Sequence, residues 1–252
     1  MKPQPVLCDM PEHIKEKIVD LLNPVSKLKL GQCSKNFKKL VDKSSFHYEI
    51  LEVSLYPNAT TINVWDDENF EEIEFEQDTD AQQEEGVHDD IKQAKEIVSR
   101  ILRVNQQVPV TMNTLRICYD RADFPDLQDR HSRLMNCLQE TLASRKHQLC
   151  VKKLRVQFLG AQELSKILLH LKPIVLKSIN LVSDHKSIWL ELENDVLESE
   201  QWKGAKMLYA EDFRLNLSYA NYEHFKGINI NVKDGLTLEQ LKSLIEVGFL
   251  SI

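Results

Sequence analysis

Cys118 and His131 are the one pair in the chain that can be posed as a nucleophile and its general base. Thiolate chemistry needs the two side chains within hydrogen-bond reach of each other. The plainer reading makes Cys118 a strand cysteine in the core and His131 a surface residue on a helix. Nothing else suggests covalent catalysis. The sequence has no Gly-x-Ser-x-Gly, no His-Glu-x-x-His, no phosphate loop and no dinucleotide fingerprint. The eight histidines are scattered, and none sits one helical turn from another ligand type in an apolar frame. Carboxylates crowd together between residues 66 and 90, but a run of one charge sign reads as a solvated face. No catalytic residue, metal ligand or cofactor is assigned, and the chain is expected not to be an enzyme.

Residues that do no chemistry can still bind. The chain has 252 residues, 42% apolar and 28% charged, which is enough for one large domain or a small and a medium one. Its net charge of −7 is local. Residues 51–90 hold 14 acidic side chains and no Lys or Arg, between two mildly basic segments. No stretch is basic enough for nucleic-acid binding, and no run is long enough to span a membrane. Five cysteines at scattered spacing, with no Cys-x-x-Cys, fit a reducing compartment better than a disulfide framework. A cytoplasmic or nuclear location is the expectation.

Three short helices are expected first. Asp9 is a candidate N-cap, with Glu12 three residues on and Pro11 in the first turn. Ile14, Ile18, Leu21 and Leu22 follow at helical spacing up to Asn23-Pro24, which opens a second helix carrying Leu28. Ser34 can cap a third helix bearing Phe37, Leu40 and Val41. So small a core needs a partner surface or an adjoining domain. Residues 49–56 and 61–65 alternate as strands, Ile73 and Phe75 suggest another, and 77–90 reads as a linker or mobile loop.

Beyond residue 90, helices at about 90–104, 127–146, 161–170 and 237–248 alternate with short apolar-x-apolar strands. Those strands begin at 115, 154, 179, 207 and 228, spaced by 39, 25, 28 and 21 residues. Units of this length stack in leucine-rich-repeat-like solenoids. The fold class is therefore α/β (α+β overall): a small three-helix module, then an irregular, repeat-like strand–helix domain with a mostly parallel sheet. The divisions expected are 1–50, 51–90 and 91–252.

Met10-Pro11-Glu12-His13-Ile14, Ile18 to Pro24, Leu28-Lys29-Leu30 and Cys33 to Val41 together resemble the F-box. Met10 stands where that family usually has Leu, Asn23 where it has Asp and Gly31 where Arg is frequent. At the other end, Glu200-Gln201-Trp202-Lys203-Gly204-Ala205-Lys206, His224-Phe225-Lys226 and Leu236 to Leu241 resemble the FTH domain. The order of the two is that of the nematode F-box A proteins.

The resemblance implies a Skp-type adaptor and a cullin scaffold as partners, and an SCF-type ubiquitin ligase with this chain as substrate receptor. Met10, Pro11, Ile14, Ile18, Leu21, Leu22, Pro24, Leu28 and Phe37 are the residues it implies for the adaptor. The C-terminal domain would hold an unidentified target protein. The polar strand positions Arg116, Arg155, Gln157 and Asn229 are the candidates for that face. Trp202 is expected to anchor the core. The alternative reading is a protein-interaction module that holds a partner, such as an RNA-binding protein, without building a ligase.

Overall fold

The computed structural model describes residues 7–57, 59–66, 70–76, 90–103, 109–119, 125–157, 162–182, 189–190, 192–211, 214–215 and 222–230. The expected helix at 237–248 and nearly all of the expected linker at 77–90 lie outside them.

Three helices come first: α1 (Glu12–Leu21), α2 (Pro24–Cys33) and α3 (Lys35–Lys43). The boundaries between them follow local chemistry. The Asn23 side chain accepts from the Ser26 amide at 2.7 Å, and Pro24, which has no N–H to satisfy, takes the first helical position. The Ser34 hydroxyl accepts from the Phe37 amide at 3.2 Å. The expected Asp9 cap does not form. Leu7–Asp9 is a 3-10 turn, Pro11 is the residue before α1, and no side chain caps that helix.

An eight-stranded sheet follows, in the order β10-β8-β6-β5-β4-β1-β2-β3. Its strands are β1 (Phe46–Leu55), β2 (Ala59–Trp65), β3 (Phe70–Glu76), β4 (Val110–Tyr119), β5 (Cys150–Gln157), β6 (Ser178–Val182), β8 (Met207–Glu211) and β10 (Gly227–Ile230). Two short strands, β7 (Trp189–Leu190) and β9 (Arg214–Leu215), pair separately. From β1 through β4, β5, β6 and β8 to β10 every pairing is parallel, and each new strand is added on the same side. This is the stacking expected from the unit length. The antiparallel β2 and β3 extend the sheet the other way. Residues 46–76 therefore share one sheet with the repeat-like units.

Helices α4 (Asp90–Ile101), α5 (Pro125–Ala143), α6 (Gln162–Leu168) and α7 (Asn194–Glu198) pack one against the next, and α8 (Glu200–Gly204) follows. Between them and the sheet run rows of aliphatic side chains. Leu51, Leu115, Leu154, Ile179 and Leu208 form one row; Val53, Ile117, Val156, Leu181 and Ala210 form the next, all buried. Burying one such larger side chain contributes about 1.5–3 kcal/mol.

The inward residues do not alternate strictly. Tyr48 and Leu51, Met112 and Leu115, Val151 and Leu154, Leu176 and Ile179, and Ala205 and Leu208 are all buried, three apart. Two successive residues thus stay outside in every unit, at the same height in the sheet. Because neighbouring strands share this irregularity, slipping one strand by a residue would misplace a whole row.

Candidate interaction surfaces

In α1, Val19 takes the inward position and is 1% exposed. Ile14, Ile18 and Leu21 fall on the neighbouring stripe at i, i+4 and i+7. Ile14 and Ile18 are half-buried, whereas Leu21 is 87% exposed at the corner between α1 and α2. Pro11 is exposed, and Met10, Leu22 and Leu28 are half-buried. These seven keep some or all of their apolar surface open, Leu28 while packing against the core. Pro24 and Phe37 lie inside instead. Phe37, 6% exposed, belongs to the core with Leu40 and Val41.

The module is fastened to the sheet by charged groups around one aromatic ring. Phe46, the first residue of β1, is 1% exposed. The Arg103 guanidinium stacks over its ring at 4.4 Å and the Lys27 ammonium at 5.5 Å. Arg103 donates to the Val41 carbonyl at 3.1 Å and to the Asp42 carboxylate at 2.9 Å, both on α3. Lys27 donates to the Ser45 carbonyl at 2.9 Å. Burial pushes the pKa of Lys27 and of Arg103 down. Arg103 has φ of 55°. The left-handed region costs a residue with a Cβ roughly 1–2 kcal/mol, so this position is held by what the side chain does.

A second buried charged cluster lies at the far end of β1. Arg130 on α5 donates to the Asp90 carboxylate and to the Tyr56 and Pro57 carbonyls of the β1–β2 turn. The Thr60 hydroxyl donates to the same carboxylate at 2.6 Å. Every partner is internal, so this cluster joins α4, α5 and the hairpin.

The sheet face opposite the helices carries the polar strand positions. Glu52, Arg116, Arg155, Asn180, Tyr209 and Asn229 are register partners across six strands. Three of the four residues picked for target binding, Arg116, Arg155 and Asn229, thus share one row. Gln157 is two residues further along β5, and its side-chain amide donates to the Tyr119 carbonyl at 2.9 Å. Arg116 lies 3.4 Å from Glu52 and has its guanidinium carbon 6.0 Å from the Trp65 ring centre.

Cys118 and His131 are on opposite faces. Tyr119 points to the helical side, where its ring meets that of His131 edge-on at 5.0 Å. Side chains alternate along a strand, so Cys118 points the other way. His131 is also 1% exposed, contrary to the surface position expected, with Nδ1 2.9 Å from the Glu163 carboxylate. The pair cannot act as nucleophile and base. Among the described residues no group of three or more His, Cys, Asp or Glu could hold a metal ion, and Cys33, Cys118, Cys137 and Cys150 form no disulfide. No helix among them is long and apolar enough to cross a membrane.

The residues around Trp202 are mostly packing. The Ser199 hydroxyl accepts from the Trp202 amide, and the indole is fully buried against Phe225 at 5.1 Å, with Tyr222 and His224 edge-on. The Gln201 side chain donates to the Leu169 and Leu171 carbonyls. Lys206 and Lys226, the last residues of the two quoted stretches, are exposed neighbours joined by a backbone hydrogen bond of 2.7 Å.

Two family models match, the F-box domain over residues 7–49 and the FTH domain over residues 132–247. The chain has the F-box A architecture, an F-box followed by an FTH domain. No curated protein and no solved structure matches it. The F-box model ends four residues into β1, so the three helices and the start of the sheet are covered together. The FTH model begins within α5 and takes in β5, β6, β8 and β10. F-box proteins are generally adaptors rather than enzymes, and the domain implies a Skp-type partner in an SCF complex.

Proposed function

We propose that this chain is the substrate-receptor subunit of an SCF-type ubiquitin ligase. The F-box binds the Skp-type adaptor, and the sheet layer holds a target protein for transfer by the rest of the complex. The observation that carries this reading is Leu21, 87% exposed on a three-helix module whose family binds an adaptor. Large apolar side chains standing open on so small a module are what a partner surface covers. Pro11, Met10, Ile14, Ile18, Leu22 and Leu28 are the further contacts in this proposal. Phe37 and Pro24 would support them from inside.

The chain's part in transfer is positional. Holding a target beside the charged ubiquitin carrier raises effective concentration and requires no catalytic group of its own. The row of Arg116, Arg155 and Asn229, with Gln157 beside it, is the proposed target face.

Pro11→Ala combined with Leu21→Ala tests the proposal. Both side chains are exposed, so the variant folds. Truncating anchors at an interface typically costs about 2 kcal/mol or more each, so capture of the adaptor measured by calorimetry falls by about a thousandfold if both are anchors. Unchanged adaptor affinity in the double variant overturns the adaptor assignment.

A further inference from the structure

Four strand units carry the same short pattern once aligned by register. Val151-Lys-Lys-Leu-Arg-Val, Leu176-Lys-Ser-Ile-Asn-Leu, Ala205-Lys-Met-Leu-Tyr-Ala and Phe225-Lys-Gly-Ile-Asn-Ile each place an exposed lysine directly after a buried residue. The Lys177 amide donates to the Lys152 carbonyl, that of Lys206 to the Lys177 carbonyl, and that of Lys226 to the Lys206 carbonyl. The four lysines are therefore neighbours in one row across four strands. With strands about 4.8 Å apart, they span about 14 Å.

From these lysines we infer a docking row for an acidic, extended segment of a protein. Like charges on directly adjacent strands are unfavourable, and this backbone ladder keeps them adjacent. Among the described residues none of the four ammonium groups meets a carboxylate; that of Lys177 donates to the Ile174 carbonyl at 3.0 Å. Among the described residues no carboxylate offsets the repulsion, so the row is matched by charge to an anion from outside.

Geometry and surroundings favour a peptide. Side chains on one face of an extended chain recur about every 7 Å, so a strand crossing the row would bring two or three carboxylates over four ammonium groups. The positions next to the row, Ser178, Met207 and Gly227 among them, offer no ring on which a base could stack. The row runs on into Asn113 and Glu49, whose side chains bond each other, and so reaches the strand that carries the F-box. A segment bound here lies on the adaptor side of the sheet layer. The inference rests on the reading of that layer as the target-binding part.

The test is fluorescence anisotropy of the full chain with a fluorescein-labelled peptide of alternating glutamate and serine, and with a labelled oligouridylate of matched charge. The acidic peptide binds, more weakly as salt rises, and Lys177→Glu with Lys206→Glu reduces affinity by about tenfold or more. The milder pair Lys177→Ala with Lys206→Ala shifts affinity in the same direction, and unchanged melting temperatures certify folding. Equal peptide affinity in the wild-type chain and both pairs overturns the inference. Tighter binding of the oligouridylate, lost in the same variants, overturns it in favour of a nucleic-acid row. Adaptor capture is measured on the same samples. It stays at the wild-type level in the lysine variants, and its absence in the wild-type chain would strike the receptor reading while leaving the peptide result to stand.

Discussion

The helical module and the sheet layer are held together by opposite means. The layer is built from aliphatic rows in which Leu115, Leu154, Ile179 and Leu208 repeat one contact along the sheet. Each unit supports the next. The module closes over a handful of residues, Val19, Phe37, Leu40 and Val41, and meets the layer through Arg103, Lys27 and Phe46. Aliphatic rows tolerate small local adjustments. A buried guanidinium bonded to one carbonyl and one carboxylate does not. The comparison teaches that the helical module takes its orientation from a few directional bonds, while the sheet layer takes its shape from volume.

The largest effect that would sharpen this contrast is Trp202→Ala. The indole fills the layer between α8 and the approach to β10, and removing such a side chain costs about 3–5 kcal/mol. The denaturant midpoint of the whole chain falls accordingly. A loss under about 1 kcal/mol would show that the layer relaxes around the cavity.

Arg103→Gly comes next. Glycine relieves the left-handed backbone, worth about 1 kcal/mol, but the carbonyl of Val41 and the carboxylate of Asp42 lose a charged donor worth roughly 1.5–3 kcal/mol per bond. The net expectation is a loss of about 2–5 kcal/mol. Hydrogen exchange locates it, with amides of α3 exchanging faster and those of β5 unchanged. Equal acceleration in both would break the comparison, since module and layer would then open as one unit.

The smallest effect concerns acid. Burial lowers the pKa of His224 and of His170. The unfolded chain then binds more protons than the folded one as pH falls below the ordinary histidine value of about 6.5, so stability drops there. His224 Nε2 donates to the Trp202 carbonyl at 2.9 Å. His224→Gln can keep that bond without titrating, and the fall in melting temperature between pH 7 and pH 5 becomes shallower. An identical slope in the variant would assign the acid sensitivity elsewhere.

The strands were legible because apolar-x-apolar triplets survive in every unit, and the caps at Asn23 and Ser34 because each precedes its helix in the usual way. The lysine row was not legible. Lysine is common on any surface, the connections between units differ in length, and only register brings Lys152, Lys177, Lys206 and Lys226 into line. The Arg130–Asp90 cluster escaped for a related reason. Charged residues are expected outside, and nothing in their spacing announces that both are buried. His131 was misplaced because a helical pattern assigns it a turn but not a depth. The pairing of β1 with β4 joins segments far apart in the chain, which local periodicity does not report.

Among the described strands, β3 is the outermost on its side, and Glu71, Glu72 and Glu74 line it on both faces. An outer strand presents unpaired amides and carbonyls to any other strand of similar length. Two copies of β3 approaching edge to edge would bring the six carboxylates of Glu71, Glu72 and Glu74 into one ribbon. The acidity that looks like spacer composition therefore acts as a guard on the sheet's margin, setting how concentrated the protein can become before its molecules zip together. Protonating or screening those carboxylates removes the guard, so self-association should begin in acid or at high salt and spread from this margin.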